Sequence, residues 1–170
     1  MSAITPKLII CFIALLAYSC IQKDKTNHSA TESETQTDHE IEYDSILAQK
    51  YGADDYGMKK YVMAFLKSGP NPSKDSVRRA ELQRAHLQNI NRLAEEGKLV
   101  LAGPFFGSGE LRGIYIFDAQ SIEEAEALTN SDPSIQAGAL EMELKEWYGS
   151  AGLMALNEIH LKLAKKSVIE

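Results

Sequence analysis

Large hydrophobic residues in this chain gather in short dense runs, separated by stretches in which they recur every three or four positions. Dense runs mark strands, and the three-to-four spacing marks helices with one buried face. The first run, Lys60 to Leu66, is apolar on both faces, with Tyr61, Met63 and Phe65 on one and Val62, Ala64 and Leu66 on the other. A strand of that kind is covered on both sides. Leu99 to Ala102 is apolar throughout, and Leu111 to Asp118 sets Arg112 among apolar residues. Ala139 to Trp147 instead alternates, with Leu140, Met142 and Leu144 against Glu141, Glu143 and Lys145.

Punctuation between the runs places the helices. Asp75 or Ser76 caps a helix running to about Glu96, and Gly97 stops it. Ser121 caps a second one, with Glu124 three residues on as in a capping box. Asp132, Pro133 and Gly138 occupy the cap, first and stop positions of a one-turn helix. Ser45 and Gly52 bracket a short helix from Ile46 to Tyr51. Gly103-Pro104 predicts a turn or bulge ending the second strand, and Phe106 to Glu110 a hairpin connection. Beyond Gly149, Leu153, Leu156, Ile159 and Leu163 fit an amphipathic tail helix that packs on the domain or on a partner.

The resulting order, strand, helix, strand, strand, helix, strand, is that of a ferredoxin-like α+β fold, an antiparallel sheet with its helices on one face. The first three strands are apolar on the face those helices do not reach. A second copy of the chain is the simplest cover, so a homodimer is expected.

One residue breaks the pattern. On a helical wheel Leu82, Leu87, Ile90, Leu93 and Ala94 share an arc opposite Arg84, Gln88, Asn91, Arg92 and Glu95, and His86 falls inside the apolar arc. Burying an imidazole without a partner costs about 1–3 kcal/mol, so His86 is expected to be hydrogen-bonded or to line a cavity.

Composition narrows the function classes. The 170 residues are 44% hydrophobic and 25% charged, enough for one globular domain with extra segments. Net charge is −6, which argues against nucleic-acid binding through a basic face. At the start, one Lys, an apolar run from Leu8 to Ala17 and small residues before Cys20 predict a signal peptide over residues 1–19. Ala-Tyr-Ser-Cys resembles a bacterial lipobox, with Ala17 where Leu is usual, and implies lipidation at Cys20 and a lipid anchor in the bacterial cell envelope, facing the periplasm or the exterior. Cys11 would leave with the leader, so no thiol remains for a disulfide, a metal site or a nucleophile. Residues 20–44 are polar and read as a flexible tether, with His28 and His39 solvated in it. Residues 45–57 form the short helix and turn, 58–149 the α+β domain and 150–170 the helical tail. No phosphate loop, metal cluster or nucleophile elbow is present in the sequence, and no cofactor is implied.

From Lys60 to Trp147 the chain resembles the YciI-like (YCII-related) family. The resemblance rests on Arg84-Ala85-His86-Leu87, on Glu96-Gly97-Lys98-Leu99 with Ala102-Gly103-Pro104, and on Asp132-Pro133 with Ala137-Gly138. It implies a dimeric α+β barrel with no cofactor, in which His86 and Asp132 face one pocket as the active-site pair. Most relatives lack an assigned reaction, and a few are linked to dehydrochlorination of chlorinated aromatic breakdown products. The leader, the tether and the tail lie outside the family's minimal pattern.

Each candidate has a plainer alternative. His86 suits a general acid or base, because imidazole exchanges protons near neutral pH, yet a carbonyl-satisfied core histidine is the other reading. Asp132 is explained by capping alone, but its second oxygen is free to orient an imidazole. Arg112 would neutralise a substrate carboxylate or lie solvated at an edge, and Trp147, with Tyr148, would wall a pocket or simply pack. His160, near Lys162, Lys165 and Lys166, belongs to a solvated face. Three functions follow: a cofactor-independent lyase or isomerase acting beside a carbonyl or halogenated carbon, a membrane-tethered module that binds a small molecule without turning it over, or a structural dimer.

Overall fold

The structure is a computed structural model and describes residues 42–167. The expected signal peptide, Cys20, the tether as far as residue 41, His28 and His39 lie outside the described residues. Ten elements follow one another: α1 (Ser45–Tyr51), β1 (Met58–Ser68), α2 (Ser76–Glu95), β2 (Leu99–Pro104), β3 (Leu111–Phe117), α3 (Ile122–Thr129), α4 (Pro133–Gln136), β4 (Leu140–Ser150), a 3-10 turn (Ala151–Ala155) and α5 (Leu156–Leu163). The strands form one sheet in the order β2-β3-β1-β4 with antiparallel pairings. This is the ferredoxin-like arrangement.

The caps act as the sequence predicts, with one change. Asp75 accepts from Val77 N, Ser121 from Glu124 N and Asp132 from Ser134 N, but Asp44 rather than Ser45 caps α1. Gly52, Gly97 and Gly138 take the left-handed conformation that ends a helix with least strain. The expected turn at Gly103-Pro104 does not form. β2 runs on to Pro104, which faces Gly113, and the irregularity falls between Leu99 and Leu101 instead. β2 is an edge strand, where the missing N–H of a proline need not break the ladder.

The main core lies between the sheet and its helices. Val62, Ala64 and Leu66 of β1, Leu99 of β2 and Tyr115 and Phe117 of β3 meet Leu93 of α2 and Ala125 of α3 there. Each fully buried side chain the size of Leu or Phe contributes about 1.5–3 kcal/mol, so this layer is the main source of stability. The opposite face holds a second cluster, Tyr61, Val100 and Ile116 with Met63, Leu101 and Trp147. Leu153 and Met154 of the 3-10 turn pack on it, so the chain's own tail covers part of the face for which a second copy was expected. The tail is also not one helix: it breaks at Leu156, and α5 lies along the β2 edge, where Asn157 Nδ2 donates to the Leu99 carbonyl at 2.9 Å. That contact caps an exposed edge group.

The loop after β1 is stitched to the segment before β4. Gly69 N donates to the Ala139 carbonyl at 3.0 Å and Asn71 N to the Gly138 carbonyl at 2.8 Å. A Cβ on Gly69 would lie 2.3 Å from the Gly138 oxygen. Gly69→Ala is therefore expected to destabilise the domain by about 1–3 kcal/mol, as overpacking does, read from the urea midpoint.

Tyr61 gives the fold a pH limit. Its ring is fully buried and its hydroxyl donates to the Ser150 carbonyl at 3.0 Å. Burial, then the charge of Asp118, pushes its pKa up to about 12. The folded state holds this proton more tightly than the unfolded state, so the contribution is complete below about pH 10 and is lost as pH rises toward 12. The urea midpoint should fall across that window in the wild type, and Tyr61→Phe should flatten the fall.

Candidate active site

His86 reaches its position because α2 buries a narrow stripe. Leu82, His86, Asn89 and Leu93 are its buried residues, and their spacing of four, three and four brings one side of the helix onto the sheet and α4. Asp132 comes from the other direction, at the cap of α4. His86 Nδ1 and Asp132 Oδ2 lie 2.6 Å apart, with the side chains 8% and 1% exposed. Asp132 Oδ1 accepts the Ser134 backbone N–H at 2.8 Å. The carboxylate thus caps a helix with one oxygen and meets an imidazole with the other.

The ring's second nitrogen is also engaged. Tyr115 Oη lies 3.2 Å from His86 Nε2, and the two rings are stacked with centroids 6.2 Å apart. An ionised carboxylate only accepts, so Nδ1 carries a proton toward Asp132; in the tautomer that leaves Nε2 bare, Nε2 accepts from the phenol. Burial, then the charge of Asp132, pushes the Tyr115 pKa well above the ordinary tyrosine range. The hydroxyl is a neutral donor at physiological pH.

A second ring of contacts fixes Asp132 relative to α2. Ser134 Oγ donates to the Leu82 carbonyl at 3.1 Å. On the other side, Arg92 Nη2 donates to Ser131 Oγ at 3.0 Å and to Asn89 Oδ1 at 2.8 Å, while Arg92 Nη1 contacts both Glu96 oxygens. Ser131 and Ser134, on either side of Asp132, are both tied to the helix that carries His86. Such outer contacts set the angle and distance at which a buried pair meets.

Sequence reasoning missed Tyr115 and Asn89. Asn89 continues the stripe of Leu82 and His86, a signal that was present. Tyr115 had none, because only the sheet register brings it beneath α2. Arg112 and Trp147 are not brought to the pair. Arg112 is exposed where the β1–β3 register shifts, Leu66 facing Gly113 and Lys67 facing Leu111. Trp147 packs on Tyr61 in the cluster on the opposite sheet face, ring centroids 5.9 Å apart. Tyr148, also expected near a pocket, bonds Asp54.

Three hollows of the described residues lie away from the pair, beside which a cavity is expected. One of about 460 Å³ sits between α2 and α5, lined by Asn91, Glu95 and His160 among others. One of about 290 Å³ lies by Phe65, Lys67 and Leu111, and one of about 310 Å³ by Asp54, Lys59 and Tyr148. None of the three is lined by His86, Asp132 or Tyr115, and the Tyr115 hydroxyl stands 3.2 Å from Nε2. Among the described residues, no group of His, Cys, Asp and Glu is placed to hold a metal ion, and no helix is long and apolar enough to cross a membrane.

Asp132→Ala removes the cap and leaves the His86 Nδ1–H without its acceptor. The expected loss is about 2–4 kcal/mol in urea denaturation, with disappearance of the low-field Nδ1 proton signal.

The chain has relatives among known proteins. The uncharacterized protein YjpA of Bacillus subtilis (strain 168) is 37% identical over 62 residues, which are 36% of this chain and 71% of YjpA. Among solved structures, 5-chloro-2-hydroxyhydroquinone dehydrochlorinase (TftG) from Burkholderia phenoliruptrix AC1100, in complex with 2,5-dihydroxybenzoquinone, aligns at a TM-score of 0.40 and 22% identity, covering 52% of this chain and 93% of that one. The family model of the YCII-related domain matches residues 61–148, more than half of the chain, with His86, Tyr115 and Asp132 all inside the match: the chain belongs to the YCII-related domain family.

Proposed function

We propose that the domain is a cofactor-independent enzyme of lyase or isomerase type, in which His86 moves a proton to or from a small carbonyl or halogenated organic compound. Asp132 holds the tautomer and stabilises the imidazolium that forms. The observation that carries this reading is the 2.6 Å contact between a buried carboxylate and a histidine that keeps 8% exposure. A carboxylate taken out of water is costly unless it is paired, and an imidazole is a partner able to give and take a proton. The same reading includes a second copy of the chain on the open end of the sheet, supported by the half-exposed Phe65 and Leu111, and a lipid anchor at Cys20.

A second reading, a binding or structural module without turnover, is favoured by one specific observation: both nitrogens of His86 are already engaged within the protein. The two readings separate on one experiment. The full chain and His86→Ala are incubated with pooled cell-envelope metabolites and the mixtures compared by mass spectrometry. Catalysis predicts a metabolite consumed by the wild type and converted about 10²–10⁴-fold more slowly by the variant. Identical profiles overturn catalysis. A metabolite retained by the wild type, less by the variant and converted by neither, establishes the binding module.

A further inference from the structure

We propose that the hollow between α2 and α5 binds a small organic anion with an apolar body, held at its acid group by Lys165 and Lys166. The site stands apart from the His86–Asp132 pair and does not rest on the acid–base reading.

The hollow holds about 460 Å³, within the range of small-molecule sites. One wall is the flank of α2, where Asn91, Ala94 and Glu95 recur at the three-and-four spacing of a single helix face. Asn157, His160, Leu161 and Ala164 repeat that spacing on the other wall, with Lys165 and Lys166 beyond them. Both walls are anchored. Leu93 holds α2 in the main core, and Asn157 Nδ2 ties α5 to the Leu99 carbonyl at 2.9 Å. Lys50 adds an ion pair to Glu158 at 2.9 Å. Walls that folding has already fixed cost little further ordering when a ligand arrives. The second wall lies wholly beyond residue 148, where the family match ends, so the site belongs to this chain's tail.

The lining sorts into two kinds of surface. Ala94, Leu161 and Ala164 offer carbon, and Leu161 is 78% exposed. The polar part is left without partners. Among the described residues, the side chains of Asn91, Glu95, His160, Lys165 and Lys166 make no hydrogen bond or ion pair. Lysines elsewhere are matched differently: Lys50, Lys59, Lys60, Lys67, Lys98 and Lys145 each face a carboxylate. Two ammoniums at the hollow thus stand against the single carboxylate of Glu95, and the lining is net positive with His160 neutral. An anion supplies the partner that the fold leaves out, while its apolar part covers the carbon surface.

The test titrates the full chain with octanoate at fixed pH and follows the ring proton of His160 by NMR, assigned through His160→Gln. Octanoate should shift that signal saturably. Octanol, which lacks the charge, and inorganic phosphate, which lacks the apolar body, should each bind at least about twofold more weakly. Lys165→Gln and Lys166→Gln should each weaken octanoate about two- to fivefold, the weight of one exposed ion pair, and Glu95→Gln should tighten it by a similar factor. All three side chains are exposed, so these substitutions leave the core untouched. The absence of a saturable shift at His160 overturns the proposal, as does octanol or phosphate binding as tightly as octanoate. Tighter binding of octylammonium, or weaker octanoate binding in Glu95→Gln, makes the hollow a cation site and overturns it as well.

Discussion

The carboxylate of Asp132 is fully buried, and the rest of the domain is arranged so that it can be. An ionised group away from water needs partners for both oxygens. One partner is local, the Ser134 N–H two residues on, and costs the fold nothing beyond a single turn of helix. The other is 46 positions away in sequence, His86 on α2. Meeting that second demand fixes the relation of α2 to α4. Leu82, Asn89 and Arg92 of α2 hold Ser134 and Ser131 on either side of Asp132, and the Gly69–Asn71 loop holds the far end of the segment at Gly138 and Ala139.

The sheet carries this site on one face and a different problem on the other. Helices close the first face around Val62, Leu93 and Phe117. On the second, Leu153 and Met154 cover Tyr61, Val100 and Ile116, while Phe65 and Leu111 border an open hollow with Lys67, Glu143 and Lys145. Lys67 and Lys145 both reach Glu143, at 2.8 and 2.7 Å, which keeps that open end polar at its margin. The tail thus performs at one end of the sheet the covering role that the sequence assigned to a second copy for the whole face.

Much of the molecule was legible from local chemistry. Ser121 and Asp132 cap where expected, Gly97 and Gly138 stop where expected, and the element order gives the ferredoxin-like fold. His86 was identifiable as a polar residue in an apolar arc, and Asp132 as a cap with a spare oxygen. The family motifs Arg84-Ala85-His86-Leu87 and Asp132-Pro133 link the two in the sequence itself.

What the sequence by itself determined was which residues start and stop each element and which sides of them are buried, because caps, glycines and periodicity act within a few residues of one another. Tertiary structure decided what lies opposite. Tyr115 meets His86 only because the β3 register and the placement of α2 coincide, Trp147 falls on the far face through its pairing with Tyr61, and the tail breaks at Leu156 to follow the β2 edge. Those outcomes depend on contacts between residues tens of positions apart, and local pattern carries no record of them.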